Sequence, residues 1–99
     1  MVTIVTHVVI SEGQEAEWDD ALRERVGAAH EQPGFVAVQV AIPFDAPNER
    51  VIIGTWETRA DWAAWHADER FLETRAKLEH VDETKAREWW HEVIVEVHR

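Results

Sequence analysis

Trp62 and Trp65 stand three residues apart. On a helix they share a face and offer a flat apolar wall against which a planar ring system can stack. Arg75 follows Phe71 by four residues and Leu72 by three, at the margin of the same kind of apolar stripe. A guanidinium there could hold a phenolate or a carboxylate. Thr6 is flanked at two-residue spacing by Ile4 and Val8, so strand alternation turns its hydroxyl to the face those apolar residues share. His66, next to Trp65, is a candidate general base. Aromatic walls including Phe71, one cation, one base and one hydroxyl describe a pocket for a small apolar or aromatic molecule that carries or acquires negative charge.

Each of these residues also fits a plainer role. Trp18, Trp56, Trp62 and Trp65 could fill a core, Arg75 could pair with Glu79 one turn on, and Thr6 could be an ordinary buried strand residue. Other chemistries find less support. The chain has no cysteine, which removes disulfides, thiolate metal sites and thiol nucleophiles. Its six histidines contain no pair at the four-residue spacing of a helical metal site. The four glycines are too scattered to cradle a phosphate, and no Ser-His-Asp arrangement stands out. We therefore expect no cofactor and no metal. The net charge is −10, with the few Lys and Arg scattered. Such a surface repels phosphate backbones, so neither nucleic acid nor an anionic membrane is an expected partner. No apolar run is long enough to span a bilayer, and the first residues lack the basic lead of a signal peptide. A cytoplasmic protein is the default expectation.

The elements that must position these groups follow from the patterning of one domain, residues 1–99. Val2 to Ile10 is rich in β-branched residues and predicts a strand. Ser11-Glu12-Gly13-Gln14 matches a capping box, after which Trp18, Leu22, Val26 and Ala29 form an apolar stripe running to a stop near Pro33-Gly34. Phe35 to Ile42 and Arg50 to Trp56 predict two further strands joined by a loop. Thr58 to Asp61 is a second capping box, opening the helix that carries Trp62 and Trp65, and Asp68 can cap a fresh segment through about Leu78. His80 to Lys85 reads as irregular, and Trp89 to His98 as a last strand with Trp89, Val93, Val95 and Val97 on one face.

The order is β-α-β-β-α-β, a ferredoxin-like α+β fold with an antiparallel sheet. Both faces of the first three strands are largely apolar: Val5 and Val9 stand opposite Ile4 and Val8, and Val36, Val38 and Val40 opposite Phe35, Ala37 and Ala41. Helices cover one face only, so a second copy of the sheet is the simplest cover for the other. The expected assembly is a homodimer, a dimeric α+β barrel.

Pro33-Gly34-Phe35-Val36-Ala37-Val38, then Val51-Ile52-Ile53-Gly54-Thr55-Trp56-Glu57-Thr58, then Trp65-His66 resemble the antibiotic-biosynthesis monooxygenase family. The resemblance runs from about Val2 to Val97. It implies a pocket between sheet and helices and an activity on quinol- or anthrone-like compounds. Against the family's polyketide oxygenases, Trp56 takes the place of a strand-ending Trp, Trp62 that of a helix Tyr, and Arg75 that of an Arg. Ile52 stands where they have Asn. Against its haem-degrading members, Trp65 matches a helix Trp. Thr6 stands where they have Asn, and Thr74 or Arg75 where they have His, with His80 five residues on.

Oxygenation without metal or flavin needs a substrate that supplies its own electrons. The resemblance therefore implies a cofactor-independent monooxygenase acting on an aromatic, quinol-like compound. Arg75 and His66 would be catalytic, and Trp62, Trp65, Thr6, Trp56 and Phe71 would bind substrate. The alternatives are a non-catalytic dimer that binds an apolar ligand and, further off, a haem-degrading monooxygenase.

Overall fold

The computed structural model describes residues 1–78 and 87–99. In chain order its elements are β1 (Val2–Val9), α1 (Glu15–Ala29), β2 (Phe35–Ala41), β3 (Glu49–Trp56), α2 (Arg59–His66), α3 (Glu69–Lys77) and β4 (Arg87–Glu92). The four strands form one sheet in the order β2-β3-β1-β4, every neighbour antiparallel. This is the α+β ferredoxin-like arrangement that the patterning predicts, with its second helical segment divided at Asp68.

Local chemistry explains most boundaries. Thr58 Oγ1 accepts the Asp61 amide at 3.0 Å and donates to Asp61 Oδ2 at 2.7 Å, so the predicted cap of α2 is present. Asp68 accepts the Arg70 amide at 2.9 Å and starts α3. Gly34 sits at φ +82°, where an added Cβ would fall 2.2 Å from Asp61 Cγ. Its carbonyl accepts the Glu57 amide at 2.8 Å. The turn before β2 is thereby packed against the first turn of α2.

Three expectations need correction. Ser11 does not cap α1. The cap position is Gln14, whose amide bonds back to the Ser11 carbonyl at 3.1 Å, while Glu15 reaches back to the Gly13 amide at 2.8 Å. Gly13, at φ +91°, makes these residues a turn in front of the helix. In β2, an irregularity between Phe35 and Ala37 shifts the register. Phe35 then faces inward opposite Trp56, Ala37 faces outward opposite Thr55, and Val38 points inward with Gly54. The last strand is Arg87–Glu92, not Trp89 to His98. Pairing ends at Val2↔Glu92 because β1 begins there, and the Val93 amide takes the Met1 carbonyl at 3.1 Å. Beyond it Ile94, Val95 and Val97 are exposed. Trp90, opposite Ile4, is the inward residue, and Trp89 lies on the outer face. The irregular segment predicted at His80 to Lys85 lies outside the described residues.

The core consists of two clusters under the helices. One joins Val8, Ile10, Trp18, Leu22 and Leu78. The other joins Ile4, Ala29, Trp56, Trp65 and Phe71. Arg50, buried on the inward face of β3, ties α1 to the sheet with two hydrogen bonds to the Asp19 carboxylate, at 2.8 and 3.1 Å. Its remaining nitrogen donates to the carbonyls of Pro47 and Glu49, both at 2.8 Å, so the buried cation is fully bonded.

Candidate active site

A cavity of about 750 Å³ opens between the inward face of the sheet and all three helices, lined by members of both clusters. Strand alternation builds the floor from Ile4, Thr6 and Val8 of β1, Ile52, Gly54 and Trp56 of β3, Val38 of β2 and Glu88 of β4. The roof comes from Trp18, Leu22 and Arg25 of α1, Trp62, Trp65 and His66 of α2, and Phe71 and Arg75 of α3. All seven residues singled out in the sequence, Thr6, Trp56, Trp62, Trp65, His66, Phe71 and Arg75, therefore line one space.

They contribute in different ways. Trp56, Trp65 and Phe71 are nearly sealed and act as walls. Trp65 meets Phe71 edge-on at 5.8 Å, and Trp56 meets Phe35 edge-on at 5.6 Å. Trp62 is half-buried. Its ring stacks on His66 at 3.8 Å and takes the edge of Trp90 at 4.6 Å. His66 is thus held between Trp62 and Phe71, the latter at 4.4 Å.

The tautomer of His66 follows from its hydrogen bond to Trp62. Nδ1 lies 2.8 Å from the Trp62 carbonyl oxygen. A carbonyl only accepts, so Nδ1 carries the proton and the neutral ring keeps its lone pair on Nε2. Burial pushes the imidazole below its ordinary value of 6.5, with Arg25 and Arg75 acting in the same direction against the Trp62 carbonyl and Glu88. His66 is consequently an unprotonated base at neutral pH.

Two cations of the described residues, Arg75 and Arg25, line the cavity. Arg75 is largely exposed at its rim and makes no hydrogen bond or ion pair with the described residues, Glu79 lying outside them. Arg25 donates to Thr74 Oγ1 at 3.1 Å and lays its guanidinium over the Phe71 ring at 4.8 Å. Thr74 in turn donates to the Phe71 carbonyl at 2.8 Å. A haem-ligating side chain is therefore missing at this position: Thr74 is buried with its hydroxyl engaged, and its neighbour is an arginine. The residues here do not fit an iron site, and His80 lies outside the described residues. No group of three metal-binding side chains occurs among the described residues, nor does any helix there have the length and apolarity to cross a membrane.

Arg25, Gly54, Glu88 and Trp90 were not singled out from the sequence. Gly54 carried a signal, since a glycine inside a strand marks a place where something approaches the backbone closely. No heavy atom would lie within 4 Å of a Cβ built there, and its inward register aims that open space into the cavity. Arg25 carried a signal too, standing seven residues after Trp18, three after Leu22 and four before Ala29, on the face of the apolar stripe of α1. Glu88 and Trp90 were hidden by the misplaced register of the last strand.

A ferredoxin-like α+β domain with an aromatic cavity roofed by helices is the class of protein that fold and site define. The sequence matches the family model for antibiotic biosynthesis monooxygenases over residues 1–77, and the chain belongs to that family. No curated protein matches the sequence. Among solved structures, it is similar to SnoaB, a cofactor-independent oxygenase from Streptomyces nogalater, with TM-score 0.84 and 21% identity over 99% of this chain and 97% of that one. It is also similar to Rv0793 from Mycobacterium tuberculosis, with TM-score 0.86 and 11% identity over 98% of each chain. A Nitrosomonas europaea protein named for the same family has TM-score 0.87 and 16% identity, covering 96% of this chain and all of its own. At these identities the likeness is one of fold.

Proposed function

We propose that the chain is a cofactor-independent monooxygenase of a planar, electron-rich aromatic substrate such as an anthrone or quinol. The observation that carries this reading is His66, its Nδ1 turned to the Trp62 carbonyl so that Nε2 is left as the free nitrogen, on an aromatic-walled cavity that also holds the Arg25 and Arg75 guanidinium groups. The ring system lies against Trp62, with Trp56, Trp65 and Phe71 as walls and Thr6 on the floor. His66 Nε2 removes a proton from the substrate, and the Arg75 guanidinium stabilises the resulting aryloxide. That anion passes one electron to dioxygen, and the two radicals combine as a peroxide. Loss of water then turns an anthrone CH₂ into a carbonyl, one oxygen atom entering the product and the other leaving as water. The substrate supplies all the electrons.

The working unit in this reading is a homodimer. On the outer face of the sheet Val5, Val51, Ile53 and Trp89 are neighbours across β4, β1 and β3. Trp89 is 42% exposed in the single chain. A second copy laid on this face would bury them. The same cavity would also serve a non-catalytic carrier of an apolar ligand. Dioxygen uptake in the presence of anthrones and quinols separates the two: uptake above the spontaneous rate supports the oxygenase, and binding without uptake supports the carrier.

A further inference from the structure

The cavity is polarised. Among the described residues its guanidinium groups, Arg25 and Arg75, both come from the helices, whereas the carboxylate on its lining, Glu88, stands on the sheet. Glu88 is placed by pairing: the antiparallel register of β1 and β4 sets it directly opposite Thr6. Opposed residues on one face of such a pair hold their Cβ atoms about 4.5–5.5 Å apart. To one side lies the apolar pair Ile4 and Trp90, and along β1 to the other lies Val8. Among the described residues, Thr6 and Glu88 therefore form a polar spot on an otherwise apolar floor.

We propose that Thr6 and Glu88 together form the subsite that recognises a hydroxyl donor on the aromatic ligand. The inference rests on reading the cavity as a site for aromatic molecules, and adds which substituent such a molecule carries and where. A carboxylate is an acceptor only, and the threonine hydroxyl can accept or donate. A phenolic or hydroquinone O–H directed at the sheet meets two acceptors there. A carboxylate or sulfonate in the same place meets a like charge. The helix side, with its two guanidinium groups, has the opposite preference. The ligand is thereby oriented, its hydroxyl toward β1 and β4 and its developing negative charge toward α1 and α3. An ether or unsubstituted ring gains no hydrogen bond from Glu88 and binds less well for that reason.

The test compares a naphthalenediol with its dimethyl ether, which has the same ring and oxygen atoms but no O–H. Affinities are measured by calorimetry near neutral pH on the intact protein. A hydrogen bond to a charged acceptor is worth enough to favour the diol about tenfold in the wild type. Glu88→Gln keeps size and shape, and Glu88 is exposed at the cavity rim, so the variant should fold. It is expected to bind the dimethyl ether as before while the diol preference shrinks to about threefold or less, the bond no longer being charge-assisted. Thr6→Val, nearly isosteric, should lower the preference by a smaller factor. A diol preference unchanged in both variants overturns the subsite and leaves the aromatic cavity standing. An equal loss of both probes in Glu88→Gln overturns it too, since that marks a structural role. Failure of both probes to bind the wild type overturns the subsite and the cavity reading together.

Discussion

His66 Nδ1 donates to the Trp62 carbonyl across 2.8 Å, and the two rings, four residues apart on α2, stack with centroids 3.8 Å apart. One contact fixes the tautomer and the other fixes the ring plane. A histidine held this way is a preoriented base, and its behaviour with pH follows.

Burial lowers the His66 pKa below 6.5. The acid limb of kcat/KM for an anthrone should therefore lie below 6.5, and His66→Gln should abolish it along with about 10²–10⁴-fold in rate. The linkage runs the same way for stability. Unfolding exposes an imidazole of ordinary pKa, which binds a proton at a pH where the folded ring does not. This contribution to stability is present above pH 6.5 and is lost as pH falls from there through the lower folded value. Urea midpoints of wild type and His66→Gln across mildly acidic pH measure it. A wild-type acid limb above 6.5 would sink the assignment.

Arg75 and Arg25 should respond differently to truncation. Arg75→Ala is expected to cut turnover or ligand affinity while moving the melting temperature little, because no bond to the described residues is lost. Arg25→Ala should lower the melting temperature, since it removes the bond to Thr74 and the contact with Phe71. Thermal melts alongside steady-state rates distinguish the two, and stability falling with Arg75 rather than Arg25 would contradict the picture.

Arg50→Ala should destabilise the domain by about 3 kcal/mol, as expected when one partner of a buried pair is removed. The Asp19 carboxylate and two carbonyls lose their donor at the junction of α1 and β3. Equilibrium urea unfolding provides the number. A cost near that of an exposed ion pair, below about 1 kcal/mol, would show that the network contributes little.

The dimer is tested on the outer face. Val38, on one of the two apolar faces that the patterning gives β2, lines the cavity, so a charge there reports on the wrong surface. Ile53, facing outward between Val5 and Gln39, is the better position. Ile53→Glu should convert a dimer to monomers by light scattering, because a buried carboxylate costs several kcal/mol. A wild type that scatters as one chain at micromolar concentration would refute the assembly.

The fold was legible in the sequence wherever side chains set the local structure alone. The Thr58 and Asp68 caps, the Trp18-to-Ala29 stripe and the Pro33-Gly34 turn each act over a few residues. The convergence of Thr6, Trp62, Trp65 and Arg75 was legible too, because helix and strand periods fix facing directions before any packing is known. What escaped depended on partners distant in sequence. The extent of β4 is set by where β1 begins, so no pattern within residues 87–99 marks its end, and Glu88 and Trp90 were lost with it. The irregularity after Phe35 reverses the facing of β2, and Arg50 reads as a surface cation until Asp19 arrives from α1.

The central claim is that an aromatic substrate is oxygenated in this cavity, and Gly54 gives direct access to it. Gly54→Val adds a branched side chain where no atom lies within 4 Å of the new Cβ, at a strand position that favours such residues. It should therefore intrude into the floor of the cavity, where the ring system would lie, without destabilising the fold. The measurement is the transfer of isotopically labelled oxygen from dioxygen into the quinone formed from anthrone, by wild type and by Gly54→Val. The account predicts one labelled oxygen per quinone with the wild type above the spontaneous rate, and spontaneous background alone with a well-folded Gly54→Val. Equal labelling by the two proteins, or none above background from a wild type that binds anthrone, would contradict it.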